Sequence, residues 1–196
     1  MASPPFYICA IRCGAATPAP SGESRMLTHG GSVALGRRRY YTRIRSAPVS
    51  LHAALSHAIK RTTAFAEPRR VALALPSTDP GLVWGDEELL VKAFHTLLET
   101  AVEFSEEGEP VRIACDVGPD SVRVVIESQG RTITTSALAK FFDLFSRREA
   151  ATRGLDLGLG PPVAFRILSL FSASVSVANR DESGIRLTIS LRNATS

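Results

Sequence analysis

Cysteine is scarce in this chain and badly spaced for chemistry. Cys9 and Cys13 are too far apart for a C-x-x-C site, Cys115 sits alone in an apolar run, and an odd count of three argues against a disulfide framework. No stretch approaches the roughly 18 consecutive apolar residues that a membrane-spanning helix needs, so the chain is expected to be soluble and cytoplasmic. Acidic residues are nearly missing from the first fifty positions, where seven arginines (Arg12, Arg25, Arg37, Arg38, Arg39, Arg43 and Arg45) face only Glu23. That segment carries a net +6 against +4 for the whole chain, which leaves −2 for the remainder. The basic balance therefore belongs to one end and is no nucleic-acid footprint of the chain as a whole. No nucleic acid is expected as a partner.

Residues 1–46 are rich in proline, glycine and small side chains and show no sustained apolar period. They are expected to form a low-order basic tail without a core of its own. An organellar transit peptide, a juxtamembrane or nucleic-acid-binding arm, and a disordered extension or remnant of a longer chain all share this composition. From residue 47 to residue 196 the pattern becomes orderly, and 44 % hydrophobic content is enough for one sizeable core.

"SLHAALSHAIKRTTAF" places Leu51, Ala54, Leu55, Ala58 and Ile59 on one helical stripe, and "RRVALALP" reads as a short strand. Gly85 and Asp86 supply a break and an N-cap for a second helix. Its broad apolar face runs from Leu89 to Val102 and ends near Ser105. "VRIACDV" and "SVRVVIES" read as two strands joined at Gly118-Pro119-Asp120, followed by a short helix around Ser136 to Leu144. A helix from about Pro161 to Phe171 precedes a closing pair of strands, "SVSVAN" and "GIRLTISL". The expected class is α/β or α+β, a two-layer sandwich with a mixed sheet packed on about three helices.

The stretch "GLDLGLGPPVAFRIL", residues 154–168, packs three glycines into seven residues at the start of a helix. Glycines let backbone approach a ligand, and a helix N-terminus offers unpaired N–H groups to an anion. A phosphate cradle and a ligand-free proline-started helix both fit this stretch taken alone.

The order of these parts resembles the ATP-binding catalytic region of sensor histidine kinases. Its Bergerat-type ATPase fold is shared with DNA gyrase, the heat-shock ATPase chaperones and the MutL mismatch-repair proteins. "GDEELL" resembles the family's G-D-x-x-x-L, and "LLETAVEFS" resembles "LLENAIKYS" through Leu97, Leu98, Glu99, Ala101 and Ser105. "ESQGRTI" stands where the family has "DNGPGI", and "FFDLFSR" resembles its phenylalanine box. "LGLGPPVAFRILSLFSASVSV" follows "GLGLAIVKRIVELHGGSIRV".

The resemblance implies a site for ATP and magnesium. It assigns nucleotide binding to Thr96, Thr100, Ser128, Gly130, Thr132, Phe145, Gly158, Leu159 and Gly160, and a lid bearing Arg147, Arg148 and Arg153. The family's metal-holding asparagine corresponds to Thr100 and its first asparagine to Thr96. A hydroxyl is a poorer direct magnesium ligand than an amide or carboxylate oxygen. The aspartate that accepts from the adenine amino group corresponds to Ser128, with Glu127 pointing to the opposite face. Glu103 stands where the family has lysine, and Pro161 and Pro162 lack the N–H groups of the usual residues. Phe141 and Phe142 fall in the aromatic box.

None of His29, His52, His57 and His95 precedes an acidic residue, as the family's phosphoacceptor commonly does. The implied function is the ATP-binding part of a two-component sensor kinase, a fragment without its phosphoacceptor hairpin and sensor, partnered by a dimerisation/phosphoacceptor domain or a response regulator. A degenerate pseudokinase that keeps the fold as an interaction module, or a stand-alone serine kinase of the anti-sigma-factor type, are the other readings.

Overall fold

The computed structural model describes residues 45–142 and 159–194. Strand β1 (Ala47–Ser50) pairs antiparallel with β2 (Leu82–Gly85), Ala47 opposite Gly85 and Ser50 opposite Leu82. Between them runs α1 (Leu51–Ala66), whose N-terminus is capped by the Ser50 side chain accepting from the Ala53 N–H at 3.2 Å. Leu51, Ala54, Leu55 and Ala58 of the expected stripe are buried, Ile59 is partly buried against them, and Ala66 joins the buried set. A 3-10 turn (Glu67–Arg69) ends the helix, with Arg70 in the left-handed region at φ 56°.

The second helix, α2 (Glu87–Phe104), is the spine of the domain. Asp86 caps it by accepting from the Leu89 N–H at 3.2 Å, and Glu87 and Glu88 place negative charge in the first turn, where the helix dipole favours it. Ten of its residues are buried, among them Leu90, Phe94, Leu97, Leu98 and Phe104, because α1, α4 (Gly160–Ser169) and the sheet all pack against it. At roughly 1.5–3 kcal/mol for each fully buried large apolar side chain, this helix contributes more to the core than any other element.

The main sheet is built from β3 (Arg112–Val117), β4 (Ser121–Glu127), β5 (Ser174–Asn179) and β6 (Ile185–Arg192) in the order β3-β4-β6-β5, every ladder antiparallel. Period-two alternation is clean. Val122, Val124 and Ile126 of β4 and Ile185, Leu187, Ile189 and Leu191 of β6 face the helices, while Arg123, Arg186 and Arg192 face outward. The expected mixed sheet has a single parallel component, the Leu73–Val111 bridge, in which the Val111 N–H donates to the Ala72 carbonyl at 3.0 Å. "RRVALALP" thus contributes one bridge rather than a strand. The next N–H toward the N-terminus that would face this segment, that of Glu109, donates instead to the Glu106 carbonyl at 3.1 Å. The β1–β2 pair is an addition to the elements legible in the sequence.

The short helix α3 is one turn (Thr135–Leu138), shorter than the span from Ser136 to Leu144 read from the pattern. Among the described residues no helix is long and apolar enough to cross a membrane.

Candidate nucleotide site

Three elements carry the described candidate residues: the outer half of α2, the loop that follows β4, and the start of α4. Thr96 and Thr100 lie one turn apart on α2, and both hydroxyls are turned back onto the helix. Thr96 Oγ1 donates to the Lys92 carbonyl at 3.0 Å and Thr100 Oγ1 to the Thr96 carbonyl at 2.9 Å. Thr100 is only 4 % exposed. The methyl group of Thr96 faces α4, since a Cβ built on Gly160 would lie 2.9 Å from Thr96 Cγ2. The helix start therefore approaches α2 closely at Gly160, and any larger residue there displaces Thr96.

The α4 terminus is poor in donors. Its N-cap is Leu159, which has no side-chain capping bond, and Pro161 and Pro162 fill the next positions after Gly160. A normal helix start leaves four N–H groups unpaired; of residues 159–162 here, two have none to offer. Leu159 is exposed, and the Leu159 carbonyl accepts from Val163 N at 3.0 Å.

The loop after β4 is fastened at both ends. On one side Gly130 bridges to Ser105, the Gln129 carbonyl accepts from Glu106 N at 2.8 Å, and the Arg131 N–H donates to the Phe104 carbonyl at 2.9 Å. Gly130 has φ +144°, and a Cβ there would meet Glu106 N at 2.6 Å and Phe104 O at 2.7 Å, so only glycine fits between loop and helix end. On the other side Asn179, the last residue of β5, clamps Ile133. Its Oδ1 accepts from Ile133 N at 2.8 Å and its Nδ2 donates to Ile133 O at 2.7 Å. Thr132, between these anchors, is exposed.

Ser128, 1 % exposed, is the innermost polar residue of the loop. Its Oγ accepts from Ile185 N at 3.3 Å, its N–H donates to the Ile185 carbonyl at 3.0 Å, and its carbonyl accepts from Arg180 Nη1 at 3.0 Å. Gly184, at φ +88°, leaves no room for a side chain over that carbonyl. Glu127 points to the opposite face and is held by Arg186 Nε at 2.6 Å, as strand alternation predicts.

Phe141 and Phe142 are buried and meet edge to face at 5.0 Å, and Phe142 stacks on Phe165 of α4 at 5.4 Å. They lock the segment after α3 to α4 as core. Phe145, Arg147, Arg148, Arg153 and Gly158 lie outside the described residues.

The histidines have structural surroundings. His95 Nδ1 lies 3.0 Å from Thr62 Oγ1 of α1 and its Nε2 is 3.6 Å from Glu99, so it ties the two helices. His57 lies 3.4 Å from Glu87. His52 Nδ1 is buried without a partner among the described residues. Cys115 is inert near neutrality, because burial pushes its thiol up to about 11.

At the position implied for magnesium the described side chains offer hydroxyls rather than an amide or carboxylate oxygen. The two threonines at the implied metal position spend their hydroxyl protons on backbone carbonyls, and both are neutral. Among the described residues no group of three His, Cys, Asp or Glu side chains could hold a metal. Asn179, Arg180 and Gly184 went unread in the sequence. Asn179 meets Ile133 across 46 residues of chain, and no local pattern announces such a pair.

Comparison with known proteins agrees with this arrangement. A sequence model described as "Histidine kinase-, DNA gyrase B-, and HSP90-like ATPase" matches residues 85–195. The sensor histidine kinase CusS of Escherichia coli (strain K12) is 30 % identical over 130 residues, 65 % of this chain and 27 % of CusS. The sensor protein VanSC of Enterococcus gallinarum is 28 % identical over 99 residues, 50 % of this chain and 27 % of VanSC. The chain thus spans about a quarter of the length of these relatives. The mycobacterial sensor histidine kinase MprB superposes with TM-score 0.64 at 20 % identity, covering 76 % of this chain and 97 % of that one. The catalytic domain of histidine kinase ThkA superposes with TM-score 0.66 at 15 % identity, covering 76 % and 99 %. A sequence match that takes in α2, the loop after β4, α4 and the final strands, on a fold shared with kinase catalytic domains, places this chain in the histidine kinase-, DNA gyrase B- and HSP90-like ATPase family.

Proposed function

We propose that the chain is the nucleotide-binding catalytic portion of a sensor histidine kinase, acting in two-component signalling on the cytoplasmic side of a membrane. It presents bound ATP to a dimerisation and phosphoacceptor element that these residues do not themselves supply, and a response regulator receives the phosphoryl group downstream. The observation that carries this reading is the placement of two glycines, Gly130 and Gly160, against one helix. Each sits where a Cβ has no space, Gly130 against the C-terminal end of α2 at Phe104 and Gly160 about two turns earlier at Thr96. The loop after β4 and the start of α4 are thereby drawn close to α2 at two points, flanking the α2 face that the family resemblance assigns to nucleotide.

In this reading Gly130 and the clamped loop hold the base, while Gly160 and the N–H groups left at the α4 start meet the phosphates. The lid arginines 147, 148 and 153 supply positive charge. Calorimetry with ATP on the full chain tests it, and saturable binding at micromolar to millimolar concentration is the expected result. Labelled ATP should leave no acid-labile, base-stable phosphate on the isolated chain, because none of its histidines has the phosphoacceptor setting. Labelling should begin when a phosphoacceptor hairpin from a related kinase is added.

A second reading, an interaction module whose nucleotide chemistry has decayed, is favoured by Thr96 and Thr100 back-bonding to their own helix and by the two prolines at the start of α4. It predicts no ATP binding under any of these conditions.

A further inference from the structure

The edge strands are guarded unequally. β1 carries Pro48, which has no N–H to offer a further strand. β3 carries Arg112 and Asp116 on its outward face, and the Leu73–Val111 bridge stands at its entrance. β5 reads Ser-Val-Ser-Val-Ala-Asn, with no charge and no proline, and it pairs one-to-one with β6 from Ser174 opposite Ser190 to Asn179 opposite Ile185, so it holds no bulge. Among the described residues nothing bonds to the backbone along its far edge. An edge without charge, proline or bulge is a template for another strand.

The sequence of β5 fits itself. In an antiparallel pair about a two-fold axis at Ser176, that serine faces its own copy, Val175 faces Val177, and Ser174 faces Ala178. Val175 and Val177, 2 % and 1 % exposed, point toward the helices, so this register keeps valine beside valine on the core side and small side chains on the other. Outward, Ser176 ends a row that crosses the whole sheet without a charge: Ala114 opposite Val125, Val125 opposite Thr188, Thr188 opposite Ser176. The charges flanking that row are matched within the chain, Arg123 by Asp116 at 3.3 Å and Arg186 by Glu127 at 2.6 Å. Joining two such edges sets no like charges against each other.

Unmatched charge lies at the two ends of β5. Past its C-terminal end the turn to β6 carries Asp181 and Glu182, both exposed. Before its N-terminal end, α4 closes with Arg166 in its last turn and Leu170, 52 % exposed, just beyond. Neither acid nor Arg166 forms an ion pair among the described residues. Antiparallel pairing brings the C-terminal end of one β5 to the N-terminal end of the other. The acids then meet Arg166 and Leu170 gains cover, and a two-fold axis makes each contact twice.

We infer that β5 is the seam of a symmetric homodimer, in which two copies of this chain pair β5 to β5 about an axis at Ser176 and join their sheets into one. The seam is independent of nucleotide.

Sedimentation of the full chain between about 1 µM and 1 mM should show a monomer–dimer equilibrium. Ser176→Lys sets two ammonium groups opposite each other at the axis and should weaken association about tenfold or more, with an unchanged circular dichroism spectrum. Asp181→Lys with Glu182→Lys should weaken it too, and adding Arg166→Glu should restore it. Because Ser176 is half-buried, Ser176→Cys gives a milder second variant. A thiol reagent spanning less than about 8 Å should link its new thiols into a dimer, whereas Ser174→Cys should not link, its two copies lying four strand positions apart, about 13 Å or more. The unaltered chain supplies the background from Cys9, Cys13 and Cys115. A chain that stays monomeric throughout overturns the inference. So does a dimer that Ser176→Lys leaves as tight as before, or one that links through Ser174→Cys as readily as through Ser176→Cys.

Discussion

At the scale of single residues the site is defined by where protons are spent. Thr100 illustrates the point. The position was legible in the sequence, because "LLETAVEFS" fixes it within a recognisable helix, but the direction of the hydroxyl was not. A threonine inside a helix has its own i−4 carbonyl within reach, and that local bond competes with any ligand. Thr100→Asn removes the back-bond and supplies an amide oxygen on a longer arm. ATP affinity of the variant should become magnesium-dependent, rising about tenfold or more on adding the ion, whereas the unaltered chain should show less than a threefold difference between magnesium and chelator. Calorimetry in the two buffers measures both. A strong magnesium effect on the unaltered chain that disappears in Glu103→Gln would instead locate a metal ligand one turn further along α2.

Asn179 makes the complementary case. It donates and accepts at once, so replacing one of its two atoms is enough to spoil the clamp. Asn179→Asp keeps the acceptor for Ile133 N but sets an anionic oxygen against the Ile133 carbonyl, 2.7 Å from the atom it replaces. With one bond lost and one repulsion gained, destabilisation of about 1–3 kcal/mol is expected. Urea unfolding monitored at Trp84 reads it. Asn179→Gln should recover little, since the extra methylene misplaces both atoms.

Among elements, legibility followed the range of the interactions that create them. The helix α2 announced itself because its first-turn acids and its apolar face are written within its eighteen residues and its cap, Asp86, immediately before them. Strands β3 to β6 showed period-two alternation strong enough to place each within about two residues. The β1–β2 pair was invisible because each strand is four residues long and its partner lies over thirty positions away. "RRVALALP" shows the converse, since β propensity alone does not make a ladder when the partner segment turns back on itself, the Glu109 N–H going to the Glu106 carbonyl.

The loop after β4 lies between these cases. Gly130 is marked in the sequence by the family resemblance, while the anchors on either side of it depend on tertiary contacts. Gly130→Ala should cost at least about 1–3 kcal/mol from the backbone conformation alone. Overlap with Glu106 N and Phe104 O adds to that, because backbone cannot yield as a flexible side chain can. Gly81→Ala is a control without collision. Its φ is 78° rather than 144° and nothing lies within 4 Å of the added Cβ, so it should lose only the smaller conformational cost of a position near the left-handed region. Denaturant midpoints of the two variants separate strain from collision, and equal losses would show that the loop moves aside freely.

For the whole molecule the question is how much of the chain the fold needs. The core is closed by elements that begin at β1. Leu51 and Leu55 are fully buried, the Leu51 N–H donates to the Gly81 carbonyl at 3.1 Å, and Ser50 caps α1. The first helix thus has its terminus satisfied by its immediate neighbours and by the turn before β2. On the far side, β6 is joined to β2 through the Val83–Asn193 bridge and the bond from Ala194 N to the Leu82 carbonyl at 2.9 Å, so both ends of residues 47–194 are tied into one hydrogen-bonded unit. Residues 1–46 bring a net positive charge, and their large apolar side chains follow no sustained helical or strand period, so they form no continuous face to add buried area at about 25 cal/mol per Å². Removing them should therefore change stability by less than about 1 kcal/mol, roughly 2–4 °C in Tm for a domain of this size. Thermal melts of the full and shortened chains, run at low and at moderate salt, make the comparison. A larger loss that persists at moderate salt would show that the segment packs apolar surface against the domain. A loss confined to low salt would point instead to its arginines meeting the net negative charge of the remainder, because attraction between exposed charges is screened within about 10 Å at 0.1 M.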